Sequence, residues 1–92
     1  MQPLHREFWR RHPGLIWSNP DADDSVRLRA ALLQPRFGRL LDVALEFGLE
    51  RLRREWEILY VENTPEARRA LPAVQRILQH LEEGFRLAAA QD

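Results

Sequence analysis

Apolar residues recur at three- and four-residue intervals from Asn19 to Ala90, the spacing of one buried face of an α-helix. Asn19-Pro20-Asp21 reads as a helix start, with Asn19 as N-cap, Pro20 at the first helical position and carboxylates in the first turn. That helix runs to about Gln34, with Val26, Ala30 and Leu33 at i, i+4 and i+7 and Leu28 and Leu32 widening the stripe. Pro35 ends it, because a proline removes a helical N–H and clashes with the preceding turn. A second helix over about 36–47 carries Phe37, Leu40, Leu41, Ala44, Leu45 and Phe47, and Gly48 fits the left-handed residue that closes it. The third follows at once over about 49–61, with Leu49, Leu52, Trp56 and Leu59 at spacings of 3, 4 and 3.

Thr64 as N-cap and Pro65 at the first position open a last helix over about 65–90, which Pro72 bends or shortens by a turn. Along it Leu71, Val74, Leu78, Leu81, Phe85 and Ala88 repeat at 3, 4, 3, 4 and 3, a heptad seam. Such a seam serves either packing inside a bundle or a homodimer through Leu71–Ala88. No segment alternates with period two over a useful length, so no strand is predicted. The pattern predicts an all-α bundle of four helices with room for a short N-terminal fifth. Helices two and three form a tight hairpin at Gly48, and the long last helix crosses the others.

Residues 1–18 stand apart as an aromatic arm ahead of a helical domain over 19–92. Leu4, Phe8 and Trp9 share one face of a short helix, Pro13-Gly14 breaks it, and Leu15, Ile16 and Trp17 make a second apolar patch. An arm this rich in large apolar side chains has two uses. It folds back over the core, or it docks on a partner.

Composition narrows the chemistry. At 92 residues the chain makes one domain with a thin stability margin. The 14 basic residues, all arginine, balance 14 acids, so no net field draws the chain to nucleic acid or to a membrane surface. The absence of cysteine excludes disulfides and thiolate metal sites and suits a cytoplasmic protein. No apolar run approaches a membrane span, and the N-terminus lacks the continuous apolar stretch of a secretory signal.

Candidate sites are few. Asp21, Asp23 and Asp24 lie close together, but they lack the glycine and distal glutamate of a calcium loop and are explained by the positive end of a helix. His5, His12 and His80 offer no pair at ligand spacing. Ser18, Ser25 and Thr64 have capping or loop explanations, and none has a base at motif-like spacing. The expectation is therefore a non-enzyme with no catalytic residue, cofactor or metal. The region Arg39–Glu57 is the best helix-turn-helix candidate, with Ala44, Gly48 and Leu49 placed as such a unit requires. Its second helix carries charged Arg54 and Glu57 where apolar residues are needed, and Glu50, Glu55 and Glu57 would repel phosphates. Nucleic acid is thus not the expected partner, although a DNA-binding regulator stays as an alternative. Arg51–Glu55, Glu50–Arg54 and Arg53–Glu57 read as solvated i, i+4 pairs.

Several stretches together carry a resemblance. They are Ser18-Asn19-Pro20-Asp21, Arg29 through Phe37, Leu41-Asp42, Leu45 through Leu52, Glu55-Trp56, Glu66 through Arg69, Ile77-Leu78 and Leu81 through Phe85. Over about residues 18–88 the chain resembles small helical proteins encoded beside nucleotidyltransferase-type toxins of the AbiEii-like group. The resemblance implies a bacterial antitoxin that neutralises by direct protein–protein binding, covering the active site of a metal-dependent enzyme that transfers nucleotides to RNA. Interface hot spots favour aromatic residues and arginine, which selects Trp9, Trp17, Trp56, Tyr60 and Phe85 with Arg54 as the expected contact residues. Asp21, Asp23 and Asp24 would face a basic, nucleotide-binding surface of the toxin.

Overall fold

In the computed structural model, which describes residues 8–11 and 23–90, four helices follow one another with almost no loop between them. They are α1 (Asp24–Leu33), α2 (Phe37–Phe47), α3 (Leu49–Glu62) and α4 (Pro65–Ala90). Residues 8–10 add one helical turn ahead of them. No strand occurs among the described residues, and every pair of the four helices is in contact, so the molecule is a small all-α bundle.

Capping chemistry sets the helix ends. The first helix begins later than the Asn19 start predicts. Its N-cap is Asp23, in extended conformation, whose carboxylate accepts from the Val26 N–H at 2.9 Å. Asn19 and Pro20 lie outside the described residues. Asp23 competes well for the role because it sits three residues before a free helical N–H and its charge complements the helix terminus. At the far end the Arg39 guanidinium donates to the Gln34 carbonyl at 2.8 Å, satisfying an acceptor that the helix leaves open. Burial and the neighbouring Arg36 charge hold the Arg39 pKa below its ordinary value. The start of α4 follows expectation, with the Thr64 hydroxyl accepting from the Ala67 N–H at 3.1 Å. Asn63 takes the left-handed conformation at φ 54° that ends α3, and its carbonyl accepts from Arg68 at 2.8 Å.

Gly48 is the whole connection between α2 and α3. Its N–H closes α2 on the Ala44 carbonyl at 2.9 Å, and its own carbonyl accepts from Leu52 at 3.3 Å to open α3. At φ 94° and ψ 142° the residue is not in the left-handed helical well that a simple closing glycine occupies. It lies toward the region that only glycine enters freely. A Cβ at this position would meet nothing within 4 Å, so the constraint is torsional rather than steric.

Helix α4 continues through Pro72 as one element, so no first turn is split off. The missing proline N–H removes the helical donor to the Arg68 carbonyl, and both residues are exposed, so the loss falls on the surface of the helix rather than in the core.

The core collects Leu28, Ala31 and Leu32 from α1, Leu40, Val43 and Ala44 from α2, and Leu52, Trp56 and Leu59 from α3. Val74, Leu78 and Leu81 enter it from α4, and Phe8 and Trp9 from the N-terminal turn. Each large apolar side chain buried this way contributes about 1.5–3 kcal/mol of transfer free energy. Two stripes are rotated from their predicted centres. In α1 the buried line is Leu28–Ala31–Leu32, while Val26 is exposed. In α2 Val43 is fully buried and Leu45 faces out. The α4 seam turns inward: Val74, Leu78 and Leu81 are buried within the single chain and Phe85 packs against the core. The bundle therefore uses the centre of the seam that a homodimer through Leu71–Ala88 would need.

Candidate functional site

The unexpected feature is an acid inside the bundle. Glu55 is 6% exposed and is the one buried charged residue among those described. It falls on the inward line of α3, three residues after Leu52 and four before Leu59, so helical geometry points it at α1. Ser25 occupies the matching place on α1, three residues before Leu28. Their side chains meet, the Ser25 hydroxyl donating to Glu55 Oε2 at 2.9 Å.

Two arginines complete the cluster. Arg51, one turn before Glu55 on α3, lies 3.4 Å from Oε2 through Nε and donates from its terminal nitrogen to Ser25 Oγ at 3.0 Å. Arg29 of α1 places Nε 3.4 Å from Oε1. The Arg29 Nε–H also donates to the Ser25 carbonyl at 3.3 Å, and Oε1 accepts no hydrogen bond from protein. The Arg29–Glu55 contact is thus a Coulombic neighbour relation, while Ser25 and Arg51 supply the directed bonds. Both arginines keep about a third of their side chains in solvent, 32% for Arg29 and 33% for Arg51, so the carboxylate is dry and the cations are half-wet.

This arrangement corrects the solvated-pair reading of Arg51–Glu55. A buried charge without partners is very costly, so the acid requires its cations. The signal was present in the sequence, as an acid at i+3 from Leu52 and i−4 from Leu59, but the i, i+4 arginine gave it a bland explanation. Arg53 reaches across to Glu82 of α4 at 3.0 Å, where both side chains are about half exposed.

The predicted contact residues scatter. Trp9 is 5% exposed and Trp56 8%, so both are core residues in this chain rather than surface anchors. The rings of Phe8, Trp9 and Phe47 pack together with centroids 4.9–5.6 Å apart. The Trp9 indole N–H donates to Asp24 Oδ1 at 2.9 Å. Of the arm's two uses, residues 8 and 9 therefore take the first and cover the core. Asp24 is engaged by that indole and Asp23 by capping, which leaves Asp23 exposed. Phe85 is half-buried against the core, and Arg54 and Tyr60 are exposed. Trp17 and Asp21 lie outside the described residues.

Apolar side chains outside every predicted stripe are also exposed: Ile58 and Val61 of α3, the latter 81% exposed, and Leu87 of α4, while Leu45, predicted to lie on the α2 stripe, is 68% exposed. Arg54, Ile58 and Val61 stand at i, i+4 and i+7, on the side of α3 opposite Leu52 and Leu59. Arg54 and Glu57 are on the surface of this helix, so a recognition helix here would offer acid and base together. Among the described residues there is no group of three or more His, Asp or Glu side chains placed to hold a metal ion, and no helix is long and apolar enough to cross a membrane. No protein-family model, curated protein or solved structure matches this chain.

Proposed function

We propose that this protein is a non-catalytic binding module and that its partner is a nucleotidyltransferase-type toxin, which it neutralises in the bacterial cytoplasm by covering the active site. The sequence resemblance over residues 18–88 supplies the identity of the partner. The observation that supports a binding role is the outer face of α3. It presents Ile58 and Val61 to solvent, with Arg54 and Glu57 beside them and Tyr60 on the neighbouring edge. Exposed apolar residues on either side of an arginine match the composition of an interface centre. With Trp9 and Trp56 in the core, this face takes over the anchoring role first given to those tryptophans. The charged side chains around it would supply orientation more than affinity.

Co-expression with the product of the adjacent reading frame tests this directly. The expected result is a stable complex and rescue of growth when the neighbour is toxic. Val61→Asp should abolish both while the variant keeps its helical circular dichroism, because the side chain makes almost no contribution to the core. A chain that purifies alone and rescues nothing overturns the toxin reading. Full binding by Val61→Asp and Ile58→Asp overturns the choice of face.

A further inference from the structure

Helix α2 carries apolar residues on two sides, and the bundle encloses one of them. Of its 11 residues only Arg39, Asp42 and Glu46 are charged. Leu40, Val43 and Ala44 are buried, and Phe47 packs beside them. Phe37, Leu41 and Leu45, at i, i+4 and i+8, form a second line that leans toward solvent. Phe37 is 48% and Leu45 68% exposed, with Leu41 half-buried between them. A helix that is apolar on every side is ordinarily enclosed on every side. Gly38 lies beside this second line, and a Cβ there would meet nothing within 4 Å, so the helix backbone is open to close approach.

The charges of α2 also run against its own dipole. Arg36 is the N-cap residue and makes no side-chain cap, Arg39 stands in the first turn, and that turn holds no acid. Asp42 and Glu46 follow in the second half, and the last turn holds no base. By contrast α1, α3 and α4 each carry an acid in the first turn, Asp24, Glu50 and Glu66. Cations at the positive end of a helix and anions at the negative end both weaken it. The two arginines crowd each other as well, since the Arg36 charge adds to burial in lowering the Arg39 pKa. An identical helix running the other way answers both ends, because its acidic half lies beside Arg36 and Arg39 and its dipole is reversed. Asp42 and Glu46 also have contacts within their own chain, so they offer a copy a favourable field more than directed bonds.

We propose that the outer face of α2 pairs with the same face of a second copy of this chain, antiparallel across a two-fold axis at Leu41. In that register Leu41 meets its own counterpart, and Leu45 comes level with Phe37 of the partner subunit, next to its open Gly38. The contact is isologous, the usual form of a closed dimer. A single helix of about three turns covers less area than a permanent dimer needs, so the pairing is weak and depends on concentration. It is distinct from the α4 seam, whose centre is spent inside the chain. It also leaves the outer face of α3 uncovered and does not depend on the toxin reading. Where that reading holds, one dimer presents two toxin-binding faces.

The test is sedimentation equilibrium of the full chain. The mean mass should climb from 10.9 kDa toward twice that value between about 1 µM and about 1 mM, the range of weak to moderate affinities. The mass of one chain throughout overturns the proposal. It does so equally if Leu45→Glu then abolishes capture of a co-expressed protein, which would give the face to that partner. Leu45→Glu removes little from the core and should weaken the dimer about tenfold or more. An unchanged mass curve overturns the choice of face. Arg36→Glu separates pairing from folding, because an acid at this helix end should raise the melting temperature of the monomer while weakening the dimer several-fold. A dimer left unchanged or tightened by Arg36→Glu overturns the antiparallel arrangement. The chain has no cysteine, so Leu41→Cys reports the axis directly. Mild oxidation should link two copies of Leu41→Cys and leave Val61→Cys unlinked; the reverse pattern overturns the proposal. Should Leu41→Cys fail to fold, the Leu45→Glu and Arg36→Glu mass curves decide. A dimer that captures no toxin overturns the proposed function and leaves the pairing standing.

Discussion

Helices α1 and α4 both lay a face against α3, but they are held there by different chemistry. The α4 face is apolar along its length, with Val74, Leu78 and Leu81 buried and one exposed pair, Arg53–Glu82, at the rim. The α1 face contributes Leu28, Ala31 and Leu32 and then gives way to Ser25 and Arg29, which meet the buried Glu55. An apolar face accepts neighbours by shape and volume, and small slips along it cost little. A carboxylate in a dry site accepts only an arrangement that brings its donors and cations, so a slip of α1 along α3 would strand a charge. The comparison assigns bulk stability to the α4 contact and the uniqueness of one packing to the α1 contact.

Five replacements probe this division and the elbow beside it, beginning with the largest expected loss. Leu81→Ala should cost about 2–5 kcal/mol in chemical denaturation, as a buried leucine that leaves a cavity does. A loss below about 1 kcal/mol would show that α4 is not the main source of stability. Glu55→Ala should cost somewhat less, about 2–3 kcal/mol, since its two arginines are a third exposed and recover part of their hydration. Replacing Ser25, Arg29, Arg51 and Glu55 together by apolar residues of similar size should be neutral or stabilising, and should broaden amide NMR signals from α1 as packing loses its register. No equivalent multiple replacement is expected to be neutral on the α4 face.

Gly48→Ala should cost about 1–3 kcal/mol through torsion alone, because the added methyl has free space and an unfavourable backbone. A neutral result in thermal unfolding would show that the elbow relaxes to another conformation. Arg53→Ala, at the exposed rim, should change stability by no more than about 1 kcal/mol. A larger loss would mean that the α4 contact also relies on charge.

How much was legible differs along the same line. The α4 seam, the Thr64 cap and the turn at Gly48 follow from patterns in which one residue type answers one local demand, and all are present. The α1 start was misplaced because Asn19, Asp21, Asp23 and Asp24 all suit an N-cap by residue type, whereas the cap is the Asp23 carboxylate that accepts from the Val26 N–H. Val43 was passed over because Ala44 and Leu45 beside it fit a stripe as well, and a rotation of the helix decides between them. Trp9 and Trp56 were assigned to a surface by residue type, whereas their burial depends on which elements surround them. The Glu55 cluster needed the one fact that periodicity cannot give, which is that Ser25 and Arg29 of one helix oppose Arg51 and Glu55 of another, 26 positions apart for Arg51 and Ser25.

The single-residue elbow at Gly48 has a consequence for the order of assembly. Joining two helices through one residue leaves almost no loop to close, so α2 and α3 meet without the entropic delay that the longer-range contacts of α1 and the N-terminal turn must overcome. The α2–α3 pair is expected to be the folding nucleus, with the ionic cluster locking late. In stopped-flow refolding, Gly48→Ala should slow folding, while Ser25→Ala should chiefly speed unfolding. A protein assembled in that sequence passes through a state in which the outer face of α3 is already formed and α1 has yet to be fastened.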